Sequence, residues 1–404
     1  MIKVPVGDFK LGVTEKKVIN EVLDSGRISE GLKVREFEKN WANFVGTKYA
    51  MAVSSGTSAL IAGLEALKYY KELEIKTNTK VITTPITYIS TSNAIVLSSF
   101  EPVYVDIDKH TFCITPENIS EYLEQLDDYS DHSIILPVHL MGYACDMDKI
   151  NKIAKKFGLV TFEDSAQAHG TLYKGKRTGS LSLLSAFSFY IAHNIQAGEL
   201  GAVNSDDEEI IALVRKIKAN GRMCDCSICL RNEGNCPRLK NHDSEDDFDP
   251  RFFHDVIGWN FKTMEFQAAL ADSQLVNVEN IIKKRLDNVR YLNENLEEFN
   301  NIMQLPEYDP HVSYLAYPIL IEKPEVISRR KMRYELEKNG VETRPLFGSI
   351  PTQQPAYNHI KDDYTGKIPV ADYVGKNAFY IGCHQYLNQE DLDYVISVFN
   401  TILK

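Results

Sequence analysis

Short apolar segments alternate with helical segments through the first half of this 404-residue chain, and this alternation constrains the fold more than any other feature. Strands joined by helices form a mainly parallel sheet. The carboxyl ends of such strands meet at one edge, where ligands bind, so we expect functional residues directly after strands. The predicted strands of this sheet are residues 50–53, 80–84, 102–106, 133–138 and 159–163.

The second half of the chain has a different pattern. Further strands are predicted at 187–190 and 200–204, followed by an irregular stretch and a long helical segment over 263–284. We therefore predict a large α/β domain over residues 1–255, with a cysteine-rich insert at 221–250. Residues 256–404 are predicted to form a linking helix and a smaller C-terminal α+β domain.

The charge and hydropathy of the chain exclude several classes of function. A net charge of −11 argues against nonspecific binding to nucleic acid or to anionic lipid. The chain has no apolar run of the roughly 18 residues that a membrane span needs, and no signal-peptide pattern opens it. We therefore expect a cytoplasmic protein.

Four of the seven cysteines are clustered within one short stretch. A structural disulfide is improbable in a cytoplasmic chain, so a metal or cluster site is the leading interpretation. The other three are scattered through apolar segments, where reduced buried thiols are expected. The clustered residues are Cys224, Cys226, Cys229 and Cys236.

Two further motifs follow predicted strands. Gly56 and Thr57 stand at the start of a helix, where backbone N–H groups attract phosphate, although many such turns are simple helix caps. Asp164 ends another strand. An acid there can hold a pyridine nitrogen protonated and make the ring an electron sink, or it can simply cap a helix.

Residues 186–194 read Ala-Phe-Ser-Phe-Tyr-Ile-Ala-His-Asn, and residues 198–203 read Gly-Glu-Leu-Gly-Ala-Val. In order and spacing, these segments resemble the DegT/DnrJ/EryC1/StrS family of sugar aminotransferases and dehydratases. The resemblance extends to residues 25–31, 137–142, 258–263 and 382–387. It implies a fold-type-I, aspartate-aminotransferase-like PLP-dependent transferase whose large domain binds the cofactor.

The resemblance also implies roles for single residues. Asp164 would pair with the ring nitrogen of pyridoxal or pyridoxamine 5′-phosphate (PLP or PMP). Asn260 would reach the phosphate of a neighbouring subunit, which predicts a homodimer. The remaining cofactor contacts would be Gly56, Thr57 and Ser188 on the phosphate, Tyr88 stacked on the ring, and Gln167 beside the ring hydroxyl.

His193 is the departure that matters most. Aminotransferases of the family read Ser-Phe-Tyr-x-x-Lys-Asn, whereas this chain has His193 at the lysine position. An imidazole cannot form a Schiff base with the cofactor, but it can move protons near neutral pH. The change resembles the 3-dehydratase subgroup. Two alternatives remain: a non-catalytic family member, or an aminotransferase that uses another lysine, of which Lys174 and Lys176 are nearest in sequence.

The segment 221–226, Gly-Arg-Met-Cys-Asp-Cys, resembles the iron–sulfur CDP-6-deoxy-4-hexulose 3-dehydrases, in which PMP and a [2Fe–2S] cluster act together. The spacing from Cys226 to Cys236 is longer than in that branch, and Ala166 stands where the branch has a ligand. Cys229 would supply the missing thiolate. Four cysteines equally suit Zn²⁺, and free thiols are the third interpretation.

Together these features predict a dehydratase of deoxysugar and lipopolysaccharide biosynthesis. It would remove the C3 hydroxyl of a nucleotide-diphosphate-linked 4-keto-6-deoxyhexose, with His193 as the proton carrier. A flavin or iron–sulfur reductase would supply electrons through the cluster. The alternative is a glutamate-dependent enzyme without a cluster, like that of the colitose pathway.

Overall fold

A seven-stranded sheet forms the centre of the large part of the molecule. The computed structural model describes residues 2–76, 78–224, 226, 236 and 252–404. The strands of this sheet are β1 (Tyr49–Val53), β2 (Lys80–Thr83), β3 (Glu101–Tyr104), β4 (His132–Leu136), β5 (Val160–Asp164), β8 (Leu184–Ser188) and β9 (Gly201–Ser205). Two short strands, β6 (Leu172–Tyr173) and β7 (Lys176–Arg177), form a separate hairpin.

The strand order is β1-β9-β8-β5-β4-β2-β3. The pairs from β8 to β3 are parallel, and β9 runs antiparallel to both of its neighbours. The predicted mainly parallel sheet is therefore confirmed. Because β9 reverses the direction between β1 and β8, β1 runs the same way as β8. The carboxyl ends of β1, β2, β5 and β8 consequently lie along one edge.

Helices pack on this sheet and continue into the C-terminal part. The helices that precede the cysteine-rich segment are α1 (Val13–Asp24), α2 (Leu32–Val45), α3 (Gly56–Tyr69), α4 (Ser90–Leu97), α5 (Pro116–Glu124), α6 (Met147–Phe157) and α7 (Glu208–Ile217). Those that follow it are α8 (Glu265–Leu275), α9 (Val278–Leu296), α10 (Arg329–Lys338), α11 (Ile350–Gln353), α12 (Lys361–Tyr364), α13 (Pro369–Asn377) and α14 (Gln389–Leu403). Short 3-10 helices cover Leu140–Gly142, Glu297–Phe299 and Pro355–Ile360.

Helix α3 lies in the core, and its start fixes the position of the phosphate motif. The side chain of Ser55 accepts a hydrogen bond from the Ser58 backbone N–H, so α3 begins at Gly56. Every residue from 58 to 67 is buried. Gly63 allows a close approach to the sheet, since a Cβ there would lie 2.5 Å from the ring of Phe162.

A second sheet of four antiparallel strands forms the C-terminal part. Its order is β10-β11-β13-β12, with strands β10 (Met303–Gln304), β11 (Tyr317–Ile321), β12 (Arg344–Pro345) and β13 (Ala378–Ile381). The start of the chain joins this part, because the backbone N–H groups of Lys3 and Val4 donate to the carbonyl of Gly340. None of the described helices is long and apolar enough to cross a membrane.

Two elements differ from the sequence prediction. The strand predicted at 187–190 ends at Ser188, because the chain turns there and the backbone N–H of His193 donates to the carbonyl of Tyr190. The helical segment predicted over 263–284 is divided into α8 and α9, with Asn277 in a non-helical conformation between them. The first difference is the functional one, because it places His193 in a turn.

Candidate active site

The predicted cofactor residues gather at the carboxyl edge of the large sheet. Gly56 follows β1, Tyr88 follows β2, Asp164 ends β5 and Ser188 ends β8. The parallel direction of these strands therefore brings together residues that are far apart in sequence. This is the edge at which open α/β sheets bind their ligands.

Gly56 and Ser188 are in direct contact. A Cβ added to Gly56 would lie 2.5 Å from the Cβ of Ser188 and 2.9 Å from its Oγ. Only glycine therefore lets the N-terminus of α3 approach the end of β8. The hydroxyls of Thr57 and Ser90 lie 2.8 Å apart, which adds the N-terminus of α4 to the same place. Two helix N-termini and three hydroxyl groups thus form a cradle that suits a phosphate.

We expect Gly56→Ala to weaken phosphate binding and to destabilise the protein by about 1–3 kcal/mol, the usual cost of overpacking. Thermal unfolding and PLP titration measure the two effects. The double variant Gly56→Ala with Ser188→Gly should recover the stability, because it removes the clashing side chain, but not the affinity. A single Gly56→Ala variant that binds PLP as tightly as the parent would contradict the assignment of the cradle.

Asp164 is a buried carboxylate held by two hydrogen bonds. Its Oδ2 accepts from the Thr91 hydroxyl at 2.8 Å, and its Oδ1 accepts from the backbone N–H of Ala166 at 3.2 Å. Burial raises the pKa of Asp164, although Thr91 and Ala166 act in the opposite direction. Among the described residues, no cation forms a salt bridge with it. This acid is thus placed to receive a cationic group such as a pyridinium N–H.

The backbone of Asp164 is anchored by the end of β4 and the turn that follows it. Its N–H donates to Pro137, and its carbonyl accepts from His139. The His139 imidazole is fully buried and lies 2.8 Å from the carboxylate of Glu163. Glu163 also accepts from the backbone N–H groups of Gly179 and Leu181. These contacts fix the end of β5 and with it the direction of the Asp164 side chain.

Gln167 is buried beside Asp164. Its Oε1 accepts from the backbone N–H of Met141 at 3.0 Å. Met141 has a left-handed conformation, with φ of 56°, that turns this N–H towards Gln167. The sequence indicated Gln167 but not Met141, Ser90 or Thr91, because these three act through contacts that no local pattern reveals.

His193 lies in the turn after β8, close to the cradle. Its Nδ1 is 2.7 Å from the backbone carbonyl of Ser188. A carbonyl can only accept, so Nδ1 carries the hydrogen and the lone pair of the neutral ring is on Nε2. Burial lowers the pKa of His193 to about 4, an effect that the Ser188 carbonyl partly offsets. The side chain is therefore a neutral imidazole at physiological pH, with one nitrogen able to accept a proton.

The two lysines nearest in sequence, Lys174 and Lys176, are both exposed, and neither they nor the buried Lys218 is placed to replace the missing lysine. Lys174 is exposed in the β6–β7 hairpin and forms a salt bridge of 2.5 Å with Asp148. Lys218, which is buried, donates to Glu30 and to the carbonyl of Ala52. Neither ammonium group is free to replace the lysine that His193 displaces.

The contacts predicted for Tyr88 and Asn260 involve partners outside this chain and stay predictions. Tyr88 is 60% exposed, which leaves its ring open to a stacking partner. Asn260 is exposed on a segment that forms a bridge with Ala219, and it does not contact the cradle of its own chain through its side chain in the described structure. Its exposure leaves it available to a second subunit.

The ends of the cysteine-rich segment are paired. The backbone N–H of Met223 donates to Phe253, and that of Asp255 donates to Gly221. Cys224, Cys226 and Cys236 are partly exposed, whereas Cys229 lies outside the described residues. Within the described ranges, no three His, Cys, Asp or Glu side chains form a group that could hold a metal ion. The cysteine metal site stays a prediction.

Comparison with known proteins explains the arrangement. The sequence profile of the DegT/DnrJ/EryC1/StrS aminotransferase family matches residues 10–400. The chain belongs to this family. The match confirms the resemblance drawn from the motifs.

Relatives within the family differ in activity. The dTDP-4-dehydro-2,6-dideoxy-D-glucose 3-dehydratase of Saccharopolyspora spinosa is 30% identical over 92% of this chain and 80% of its own length. The GDP-perosamine synthase of Caulobacter vibrioides is 28% identical over 99% of this chain and 98% of its own. A solved structure of E. coli GDP-4-keto-6-deoxy-D-mannose-3-dehydratase with bound hydrated PLP is 26% identical, with a TM-score of 0.84 and coverage of 98% of this chain and 99% of that one. These comparisons confirm the aminotransferase-type fold.

Proposed function

We propose that this protein is a PMP-dependent dehydratase that removes the C3 hydroxyl of a nucleotide-linked 4-keto-6-deoxyhexose. The observation that carries the proposal is His193, a neutral imidazole at the position where family aminotransferases have their lysine. Relatives of similar identity are named as 3-dehydratases and as a perosamine synthase, so the choice of the dehydratase branch rests on His193.

The residues present fit PLP or PMP. Gly56 leaves a space beside Ser188 that any Cβ would fill, and the hydroxyls of Thr57 and Ser90 stand next to it. Asp164 is a buried acid held by Thr91 and Ala166, and burial raises its pKa, so it could stabilise a cationic ring nitrogen beside it. When bound, the cofactor would supply an amine for the sugar ketone and a pyridinium ring that accepts electrons.

Each chemical role then falls to a side chain of this protein. Asp164 holds the ring nitrogen in its protonated form. His193 would take a proton at Nε2 from the carbon that carries the amino group of the bound cofactor, because its Nδ1–H is engaged by Ser188. It would return that proton to the C3 hydroxyl, which would leave as water. Asp164 is buried and His193 is half-buried, which limits the access of bulk water to the proton.

Replacement of the C3 hydroxyl by hydrogen is a two-electron reduction of the sugar, so an electron donor is required. In the first version, a flavin or iron–sulfur reductase supplies the electrons through a [2Fe–2S] cluster on Cys224, Cys226, Cys229 and Cys236. In the second, glutamate supplies them when it returns the cofactor to its amine form. The paired stem of the cysteine-rich segment continues to Phe261, whose carbonyl accepts from Ser54 beside the phosphate cradle, so a cluster on this segment would be joined to the site through the backbone.

We also propose that the active unit is a homodimer. Large apolar side chains are exposed near the site, and Asn260 lies among them. The segments of Ile28 and Met264 are paired through backbone hydrogen bonds, and exposed apolar side chains on neighbouring segments suit an interface. The exposed apolar residues are Ile28, Leu32, Ile257, Trp259 and Met264.

A mass measurement tests the dehydratase. We expect PMP-loaded protein, incubated with GDP- or dTDP-linked 4-keto-6-deoxyhexose and either electron source, to yield a 3-deoxy sugar. An aminotransferase would instead give a 4-amino sugar from glutamate. Borohydride treatment of the PLP-loaded protein should leave no cofactor attached to a lysine. A lysine adduct in the wild-type chain would contradict the proposal.

Metal content separates the two electron sources. We expect anaerobically purified protein to be brown and to contain about two irons per chain, as a [2Fe–2S] cluster requires. Cys224→Ser should remove the colour and the reductase-dependent turnover, whereas Cys113→Ser, a scattered cysteine, should remove neither. Zinc, or no metal, together with glutamate-dependent turnover would select the second version instead.

A further inference from the structure

Aromatic rings from both parts of the molecule line the mouth of the site. The Tyr88 ring lies 6.0 Å from that of Phe347, which lies 6.5 Å from that of Tyr380. Tyr88 follows β2, Phe347 follows β12 and Tyr380 belongs to β13. Tyr88 is exposed and Phe347 is half-buried, so their rings present an open apolar surface.

This surface adjoins the catalytic groups on two sides. Thr87, next to Tyr88, lies 2.9 Å through its hydroxyl from the Thr91 hydroxyl that donates to Asp164. On the other side, burial raises the pKa of Tyr380, Tyr190 is close enough to Tyr380 to add to this rise, and the Tyr190 ring lies 6.2 Å from the His193 ring. A sugar that reacts beside His193 would therefore lie near this aromatic surface.

Phe347 has an unusual backbone conformation. Its φ is +47°, in the left-handed region that bulky residues rarely adopt. Hydrogen bonds on both sides hold the loop in place: the Leu346 N–H donates to Ala378, and the Ile350 N–H donates to Pro85. A glycine would adopt this conformation without strain. The phenyl ring is therefore kept at an energetic cost, as often happens at functional sites.

A second phenylalanine with a left-handed backbone conformation is fully packed in the core. Phe112 also has a positive φ, of 62°, but its ring is only 1% exposed and lies in the main core. Burial of that ring offsets the strain. The ring of Phe347 packs against the same core but stays partly exposed. Burial therefore offsets less of the strain, and part of the ring can contact a ligand.

We propose that Phe347 is a specificity-determining residue whose ring contacts the methyl-bearing C5–C6 edge of the hexose. This inference rests on the proposed function, which supplies a 6-deoxy sugar. A methyl group packs on an aromatic face without leaving a polar group unpaired. A C6 hydroxyl in the same place would lose its hydrogen bonds to water.

Matched sugar nucleotides that differ only at C6 test the proposal. The probes are GDP-mannose against GDP-6-deoxymannose, and dTDP-glucose against dTDP-6-deoxyglucose, titrated into PMP-loaded protein by calorimetry. We expect the wild type to bind the 6-deoxy member of one pair about tenfold more tightly, which corresponds to about 1.4 kcal/mol. Phe347→Ala should reduce that preference to within about twofold, and Phe347→Leu should keep part of it.

The ratio of the two affinities is taken within each variant. A general loss of stability would weaken both affinities and leave this ratio unchanged. Tyr334→Ala, an exposed aromatic on α10, is the matched control and should keep the wild-type ratio. Phe347→Gly should melt at or above Phe347→Ala, because glycine relieves the strain. No C6 preference in the wild type, or an unchanged preference in Phe347→Ala, would overturn the inference.

The binding test of Phe347 and the turnover test of the dehydratase can have different outcomes. A C6 preference that disappears in Phe347→Ala, in a protein that makes no 3-deoxy product, would support the role of Phe347 in sugar recognition and contradict the dehydratase. Formation of a 3-deoxy product with a C6 preference that survives Phe347→Ala would contradict only the role of Phe347.

Discussion

His193→Asn is expected to lower the rate of C3 dehydration by about a hundredfold to ten-thousandfold, the range that a positioned general base contributes. Asparagine can still donate a hydrogen bond to the Ser188 carbonyl, but it cannot take the proton that the Nε2 lone pair accepts. The affinity for PMP should change little, because the cradle at Gly56 and Ser188 is untouched. Single-turnover assays and cofactor titration measure the two quantities.

His110→Asn is the matched control for this substitution, because His110 is exposed on a distant loop. We expect it to retain wild-type turnover. His193→Lys should instead gain a lysine adduct with PLP that borohydride traps. Dehydration that proceeds in His193→Asn at more than a tenth of the wild-type rate would show that another group carries the proton.

The pH dependence of kcat/KM follows from the same side chain. Burial lowers the pKa of His193 to about 4, so the free enzyme keeps the neutral base down to about pH 5. As the pH falls through 4, protonation removes the base and the rate should decline. A solvated imidazole would instead lose activity below about pH 6.5. A decline centred near 6.5 would therefore contradict the buried neutral state of His193.

Asp164→Asn is expected to lower kcat/KM by about a hundredfold to a thousandfold, similar to the loss of another preorganised electrostatic contact in an active site. The amide is nearly the same size as the carboxylate, but it carries no charge to stabilise a protonated ring nitrogen. The absorbance spectrum of the bound cofactor should change along with the rate. A variant with an unchanged spectrum and rate would contradict the pairing of Asp164 with the ring.

Asp164→Asn should lower the activity but should not lower the stability of the cofactor-free protein. The folded pKa of Asp164 is raised, so the buried charge costs free energy at every pH above that value. Asp164→Asn removes this cost, and the apo protein should melt at neutral pH no lower than the parent. Thr91→Val is the control, because it removes the 2.8 Å hydrogen bond to Asp164 but keeps the charge; it should destabilise the apo protein.

The local sequence was sufficient for those features of the fold and site that depend on residue types and their spacing alone. Ser55 and Ser58 can cap a helix, so a phosphate-binding turn was predictable at Gly56. The alternation of strands and helices was sufficient for the parallel sheet and for the edge at which Asp164 lies. The replacement of lysine by His193 was visible in the motif itself.

Other parts of the site could not be read in this way. Ser90, Thr91 and Met141 act through partners that are distant in the chain, and nothing in their own neighbourhoods indicates this. The strand predicted at 187–190 ended early, because whether the chain continues or turns after Ser188 depends on its contacts with residues 197–200. The strained backbone of Phe347 is likewise imposed by distant hydrogen bonds.

The sequence by itself determined the family, the order of strands and helices, and the chemical character of the residues at positions 164 and 193. These follow from residue types and spacings along the chain. The tertiary structure decided which nitrogen of His193 carries the hydrogen, how deeply Asp164 is buried, and that Phe347 stands beside Tyr88. Protonation and strain depend on the groups that surround a side chain in space, and folding brings those groups from remote parts of the chain.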